Sequence, residues 1–359
     1  MTIHVSLLNT VAGRQIGCLA LSAPERINAQ NLAMVRQMAA ALAAWEQDER
    51  VVAVVLLGAG ERGFCAGGDL KSLHQAMSEP AQIAQGDAFF AEEYRLCQTI
   101  REWRKPILAW GHGIVMGGGW GLFAAASHRV LTESSRLAMP ETGIGLFPDV
   151  AASWWLPQLQ GVGRFLALSG AVLNAADALH LGVADWVCHD TERHSILLAM
   201  ANLPWFAEAD RDVLLLSDFL DQQLPPDLPQ ANLIPYQAQI SRLCEGSFAD
   251  AIDGLLALAS TEQSSYLQHA AQRLTAASPT SLYLSWALQQ RCETLSLAQT
   301  VELETRMAAC ALRYGDFKEG IYCTLFNRQQ QPRWRQSSYA NLDVAAIEAH
   351  FVPLSEQLG

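Results

Sequence analysis

The stretch 117–149 sets four glycines, Gly117, Gly118, Gly119 and Gly121, a short way ahead of two acids, Glu141 and Asp149. A glycine has no Cβ, so its N–H can lie directly against a ligand atom. Segment 122–128 reads as a helix, which puts the glycines at a helix N-terminus, where unpaired N–H groups and the macrodipole favour negative charge. Pro140 and Pro148 precede the two acids. Each fixes local φ and argues for an ordered turn that holds a carboxylate in one position. A second glycine pair, in Ala66-Gly67-Gly68-Asp69, offers a matching backbone donor ahead of a helix at 70–77 that Asp69 would cap. Two backbone donors and two acids suit the stabilisation of negative charge on a carbonyl oxygen while a carboxylate attacks or moves a proton. Acyl chemistry on a thioester, or on an enolate, fits that set.

Other chemistries find less support. The chain has no G-x-S-x-G elbow and no H-E-x-x-H or other closely spaced histidine pair, so a serine or zinc hydrolase is disfavoured. Gly58-Ala59-Gly60-Glu61-Arg62-Gly63 satisfies G-x-G-x-x-G after a predicted strand. A dinucleotide site needs its third glycine to open a helix, and here Gly67 and Gly68 interrupt one. Asp87, the acid near the ribose-binding offset, does not end a second strand, so 58–63 reads as a strand-exit loop. His112, flanked by Gly111 and Gly113, reads as a satisfied core histidine. Glu92 and Glu93 fall early in a helix predicted over 89–103, where acids suit the dipole.

The elements that must carry these groups follow from period and punctuation. Segments 3–9 and 16–22 read as a hairpin about Ala12-Gly13, 32–46 as an amphipathic helix, and 51–57 as a buried strand. A further strand, 106–115, leads into the glycine cluster, and short strands follow at 129–132 and 136–139. Strand, glycines, helix and strand recur at 51–69 and 107–121, two turns of one β-β-α repeat. Helices are predicted at 156–168 and 175–181, then a last strand reaching 187. Five of the chain's 14 prolines fall in 204–235, the expected linker. Helical periods at 248–258, 266–277, 281–292 and 297–311 make the remainder a helical unit. The expected organisation is an α/β core over 1–203, the linker over 204–235, and a mainly helical region over 236–359 packed on the core.

Composition bounds the partners. Of 359 residues, 50% are hydrophobic and 17% charged, as in an ordinary globular protein with a substantial core. With a formal net charge of −12, and only Lys71, Lys105 and Lys318 as lysines among 24 basic residues, no basic stripe is left for nucleic acid. A small anionic ligand remains compatible, because arginines and backbone amides bind phosphate locally. The N-terminal segment lacks a charged region followed by an apolar one, and no apolar run reaches a membrane span, so a cytoplasmic location is expected. Eight scattered cysteines without a C-x-x-C pair read as reduced, buried thiols.

FCAGGDL (64–70), GIVMGGGWGL (113–122) and MPETGIGLFPDV (139–150) resemble motifs of the crotonase (enoyl-CoA hydratase/isomerase) superfamily, and within it those of its 3-hydroxyisobutyryl-CoA hydrolases. EEYRL (92–96), SPTSL (278–282), DFKEGIY (316–322) and QPRW (331–334) extend the resemblance over nearly the whole chain. It implies a crotonase-like α/β spiral of β-β-α repeats with a mainly helical C-terminal region. It further implies an acyl-CoA substrate, coenzyme A being part of that substrate, and no metal or redox cofactor. By position, the amides of Gly68 and Gly118 would form the oxyanion hole, with Ala66 and Gly117 beside them at the substrate. Glu141 would attack the thioester carbonyl or activate water, Asp149 would contact the acyl hydroxyl and assist proton transfer, and Glu93 would lie near the acyl pocket. A hydratase of the superfamily carries a second glutamate where this chain has Gly121, which weighs for hydrolysis. Ala151-Ala152-Ser153-Trp154-Trp155 replaces the small glycines that usually continue FPDV. Relatives are often trimers or hexamers, so a homo-oligomer is expected unless the helical extension covers that surface.

Overall fold

The computed structural model describes residues 2–159 and 161–352. The chain begins with β1 (Thr2–Asn9) and β2 (Gln15–Ser22), antiparallel and in the register Thr2 to Ser22 through Asn9 to Gln15. Helix Leu32–Glu46 follows, with Asn31 as N-cap accepting from the Met34 N–H, and buries Met34, Val35, Met38, Leu42 and Trp45. From there the strands come in pairs that divide between two sheets. β3 (Val51–Gly58), β5 (Ile107–Gly111) and β7 (His128–Thr132) join one sheet. β4 (Gly63–Cys65), β6 (Ile114–Met116) and β8 (Arg136–Ala138) join the other. β9 (Leu173–Asn174) closes the smaller sheet and β10 (Trp186–Cys188) the larger. The orders are β1-β2-β3-β5-β7-β10 and β4-β6-β8-β9. Each β-β-α turn therefore adds one strand to each sheet, the spiral of repeats expected from the sequence.

The step between sheets explains where the strand expected over 106–115 divides. Gly113 has φ +52, and a Cβ there would lie 2.5 Å from the Arg62 carbonyl oxygen, so the chain turns at Gly111-His112-Gly113. His112 is buried in this turn and its Nε2 lies 2.9 Å from the Gly60 carbonyl oxygen. The glycines of the 58–63 loop serve the same packing: a Cβ on Gly63 would lie 2.5 Å from Ile114 N, and one on Gly58 would strike the Phe64 carbonyl. That loop opens into β4 and not into a helix, as a strand-exit loop does.

Two compact units can be distinguished, and the chain passes between them several times. The first comprises Met1–Gly68, Arg95–Leu137 and Leu173–Asn232; the second, Asp69–Tyr94, Ala138–Val172 and Leu233–Gly359. The first carries the sheets. Its core gathers Val52, Val55, Leu108, Trp110 and Val130 from the larger sheet with Trp205, Leu216 and Leu220. Leu216 and Leu220 belong to helix Ala209–Asp221, so the proline-rich stretch 204–235 contains a helix that joins this core. The prolines punctuate its ends.

The second unit is helical. Phe248–Thr261, Ser265–Ala276, Pro279–Cys292 and Leu297–Tyr314 each begin at a serine N-cap, namely Ser247, Ser264, Ser278 and Ser296, whose side chain accepts from a backbone N–H of the first turn. Helix Phe317–Leu325 follows. In place of one helix over 156–168, a short 3-10 turn at Leu156–Leu159 precedes helix Val162–Ser169. Among the described residues, no helix is long and apolar enough to cross a membrane.

Candidate active site

In the first unit the two glycine loops converge. Helix Gly118–Ala125 starts earlier than the period predicts, so Gly118, Gly119 and Gly121 lie within it and Gly117 is its N-cap. Gly117 has φ 52 and ψ −128, a backbone open to glycine and little else. Gly67 has φ +100, and a Cβ on it would lie 3.2 Å from the Met116 carbonyl oxygen and 3.4 Å from Gly118 N. A Cβ on Gly119 would strike the carbonyl of Cys65. The FCAGGDL and GGGWG segments thus touch backbone to backbone, which any side chain at these positions would prevent.

The amides divide into structural and open ones. Ala66 N–H donates to the Ile27 carbonyl, and Gln30 N–H donates to the Gly67 carbonyl, pinning the first loop at 2.9 and 2.8 Å. Gly118 is the first residue of its helix, where an N–H has no intrahelical acceptor. The loop that carries Ala66, Gly67 and Gly68 thus lies against Gly117 and Gly118 through Gly67, and the Ala66 amide is already engaged.

The acids gather in the second unit. Glu93, Glu141 and Asp149 are all buried, and a fourth, Glu304, joins them. Burial pushes the Glu141 carboxyl well above the usual carboxylate range, and the charge of Asp149 pushes it further. Glu93 is raised by the same two causes in the same order. Asp149 rises to about 6, mainly through burial, with a hydrogen bond from Tyr94 opposing the rise. Glu304 rises to about 8, through burial and then the charge of Asp149. Burial raises the proton affinity of all four carboxyls, and the charge of Asp149 adds to the rise at Glu93, Glu141 and Glu304.

Separate turns hold the two acids named from sequence. Glu141 opens the 3-10 turn Glu141–Ile144, which ends at Gly145 with φ +78. A Cβ on Gly145 would lie 2.5 Å from the Asp316 carbonyl carbon, and one on Gly320 would strike the Ile144 carbonyl. Ser278 N–H donates to the Thr142 carbonyl at 3.0 Å, and Ser278 Oγ donates to Asp316 Oδ2 at 2.6 Å. SPTSL and DFKEG are thus the buttress of the Glu141 turn. Within that support Glu141 Oε2 is buried with no hydrogen-bond partner among the described residues.

Asp149 ends its turn differently: its Oδ2 accepts from Tyr94 Oη at 2.6 Å, and its carbonyl accepts from Ala152 N–H at 2.8 Å. Neither Tyr94 nor Glu304 carries a role in the reading of the sequence. The signal for Glu304 was its place on the buried stripe Thr300, Val301, Glu304, Met307, Ala308 and Ala311, where an acid has no solvent. Asp87, the acid weighed for a ribose, instead pairs with Arg313 through two contacts of 2.7 and 2.6 Å. Among the described residues, no group of three or more His, Cys, Asp or Glu could hold a metal ion.

A model of the enoyl-CoA hydratase/isomerase family matches residues 16–351. The mitochondrial 3-hydroxyisobutyryl-CoA hydrolase of Danio rerio is 33% identical over 366 residues, covering 99% of this chain and 94% of that one. Its Homo sapiens counterpart is 29% identical, with 99% and 91% covered. A solved carnitinyl-CoA dehydratase from Mycobacterium thermoresistibile superposes with TM-score 0.84 at 32% identity, covering 98% of this chain and 96% of that one. An enoyl-CoA hydratase from Rhodobacter sphaeroides 2.4.1 superposes with TM-score 0.82 at 28% identity, with 98% of both covered. With a family match over nearly its full length and these relatives, the chain belongs to the enoyl-CoA hydratase/isomerase family, the crotonase superfamily.

Proposed function

We propose that this protein is an acyl-CoA thioester hydrolase acting on short β-hydroxyacyl groups, 3-hydroxyisobutyryl-CoA foremost, as in valine catabolism. The observation that carries the reading is Glu141: a buried carboxyl with one oxygen unengaged, raised by burial and by Asp149, on a turn braced from several sides. A carboxylate made more basic by burial is a stronger nucleophile or base once ionised. In this proposal the N–H groups of Gly68 and Gly118 stabilise the oxyanion that develops on the thioester carbonyl. Glu141 attacks that carbonyl or activates water, and Asp149 contacts the acyl hydroxyl and assists proton transfer. Glu93 borders the acyl group, and Ala66 and Gly117 line its approach. No metal or redox cofactor enters the scheme. Hydrolase names among the relatives and the glycine at 121, where a hydratase carries its second glutamate, support hydrolysis over hydration.

The cytoplasmic location expected from the N-terminal residues and a homo-oligomeric state remain part of this proposal. The Danio rerio and Homo sapiens hydrolases bear the word mitochondrial in their names, which describes those proteins.

The test is thiol release across a panel of acyl-CoAs. Wild type should release thiol fastest from 3-hydroxyisobutyryl-CoA, and Glu141→Gln should lose this by about two to four orders of magnitude while retaining acyl-CoA binding. Full turnover in Glu141→Gln would sink the mechanism. The solved relatives named hydratase and dehydratase keep a second reading in view. It predicts that crotonyl-CoA loses its conjugated absorbance without liberating thiol. A flat response in both assays would point instead to a non-catalytic acyl-CoA-binding protein.

A further inference from the structure

The turn after Asp149 is held in a conformation that its own residues disfavour. Val150 and Ala151 have φ 53 and 64, two successive left-handed residues, and neither is glycine. A β-branched residue is among the least suited to that region, which persists only where the surroundings impose it. Ala151 is also the N-cap of helix Ala152–Trp155, yet its side chain makes no cap hydrogen bond. The missing acceptor comes from 153 residues along the chain. Glu304 Oε2 accepts the Ala151 N–H at 2.6 Å, and Oε1 accepts the Ser153 N–H at 3.1 Å. Glu304 is fully buried on helix Leu297–Tyr314, and both of its carboxyl oxygens are engaged by this turn.

We propose that Glu304 is the positioning residue of the Asp149 turn: by accepting the N–H groups of Ala151 and Ser153 it imposes the left-handed backbone at 150 and 151, and thereby fixes where the Asp149 carboxyl lies. Tyr94 anchors the side-chain end of Asp149 and Glu304 the backbone end. Glu304 itself acts through the turn and not on substrate. The influence on catalysis rests on the hydrolase reading above; the influence on the turn does not.

The experiment pairs Glu304→Gln with Val150→Gly. Glutamine keeps the shape but turns one acceptor into a donor that faces an N–H, so the turn should relax. The expected result is a kcat for thiol release lowered by about tenfold to a hundredfold, as small misplacements of a reacting group cost, with KM within about threefold. Glycine adopts positive φ without penalty, so Glu304→Gln should cost less kcat in a Val150→Gly background than in wild type, and Glu304→Gln/Val150→Gly measured against Val150→Gly alone reads that difference. Wild-type kcat in Glu304→Gln overturns the inference. If Glu304→Gln does not fold, the double variant decides: folded and active supports the inference, whereas unfolded or folded and inactive makes Glu304 a core residue only. Crystal structures of wild type and Glu304→Gln give a readout free of activity, namely φ at residues 150 and 151 and the Tyr94–Asp149 distance. Were wild type to release no thiol, the hydrolase reading would fall. An unchanged turn in Glu304→Gln would still overturn the positioning role, and a displaced one would support it.

Discussion

Tyr94 Oη donates to Asp149 Oδ2 across 2.6 Å, and both groups are buried. The contact opposes the environment around it, because the hydrogen bond favours the ionised carboxylate while burial favours the protonated acid, leaving Asp149 at about 6. Tyr94 is itself pushed well above its ordinary range by burial and by the charge of Asp149, so it remains a donor throughout the working pH range.

Removing that donor should move the acid limb of the reaction. In Tyr94→Phe the burial stays and the stabilising hydrogen bond goes, so Asp149 should titrate above its present value of about 6. The pH profile of kcat/KM should show its acidic limb displaced to higher pH, with a loss of about tenfold near neutrality, as for a hydrogen bond to a charged group. An unmoved limb would mean that Asp149 does not govern it.

The acid cluster should also make the fold less stable as pH rises. Each of Glu93, Glu141, Asp149 and Glu304 titrates above its ordinary range in the folded chain. A carboxyl raised in this way contributes stability that is present below the unfolded pKa and is lost as pH climbs through the folded one. For Asp149 and Glu304 those folded values are about 6 and about 8, so melting temperature should fall across that window. Each pH unit between unfolded and folded values is worth about 1.4 kcal/mol for a single group. Glu141→Gln removes one titration and relieves its neighbours, so its melting curve should depend less on pH. Circular dichroism melts of both proteins between about pH 5 and 9 would measure this, and parallel pH dependences would contradict it.

A third outcome concerns the backbone donor at 118. Gly118 is the first residue of its helix, a position that accepts proline because its N–H bonds to no carbonyl of the helix. Gly118→Pro removes the proposed oxyanion donor, and protein that keeps the wild-type circular dichroism spectrum should show a kcat lower by about 10²–10³, the usual worth of one such donor. Activity within a few-fold of wild type would remove the Gly118 amide from the mechanism.

Much of this arrangement was legible in local sequence. Leu32–Glu46 was set by its apolar spacing and an asparagine cap, and the C-terminal helices by period and serine caps. Segment 106–115 reads as one strand because both halves are apolar. Its division depends on Gly113, whose positive φ is needed only because the Arg62 carbonyl occupies the space of a Cβ. Propensity puts the start of the glycine helix at 122, because four glycines argue against helix, whereas it starts at Gly118 and the packing of Gly119 against Cys65 selects for a missing side chain. The stretch 204–235 reads as a linker by its prolines, and its helix Ala209–Asp221 is secured by burying Leu216 and Leu220.

By itself, the sequence determined the family motifs, the two glycine loops and the pair Glu141 and Asp149, because turn residues and proline-flanked acids signal themselves over a few positions. Tertiary structure alone decided that Tyr94 and Glu304 belong with them. Their partners lie 55 and 153 residues away, and no local pattern records such contacts. It also decided the state of the acids, since burial sets a carboxyl's proton affinity and is a property of everything packed around it.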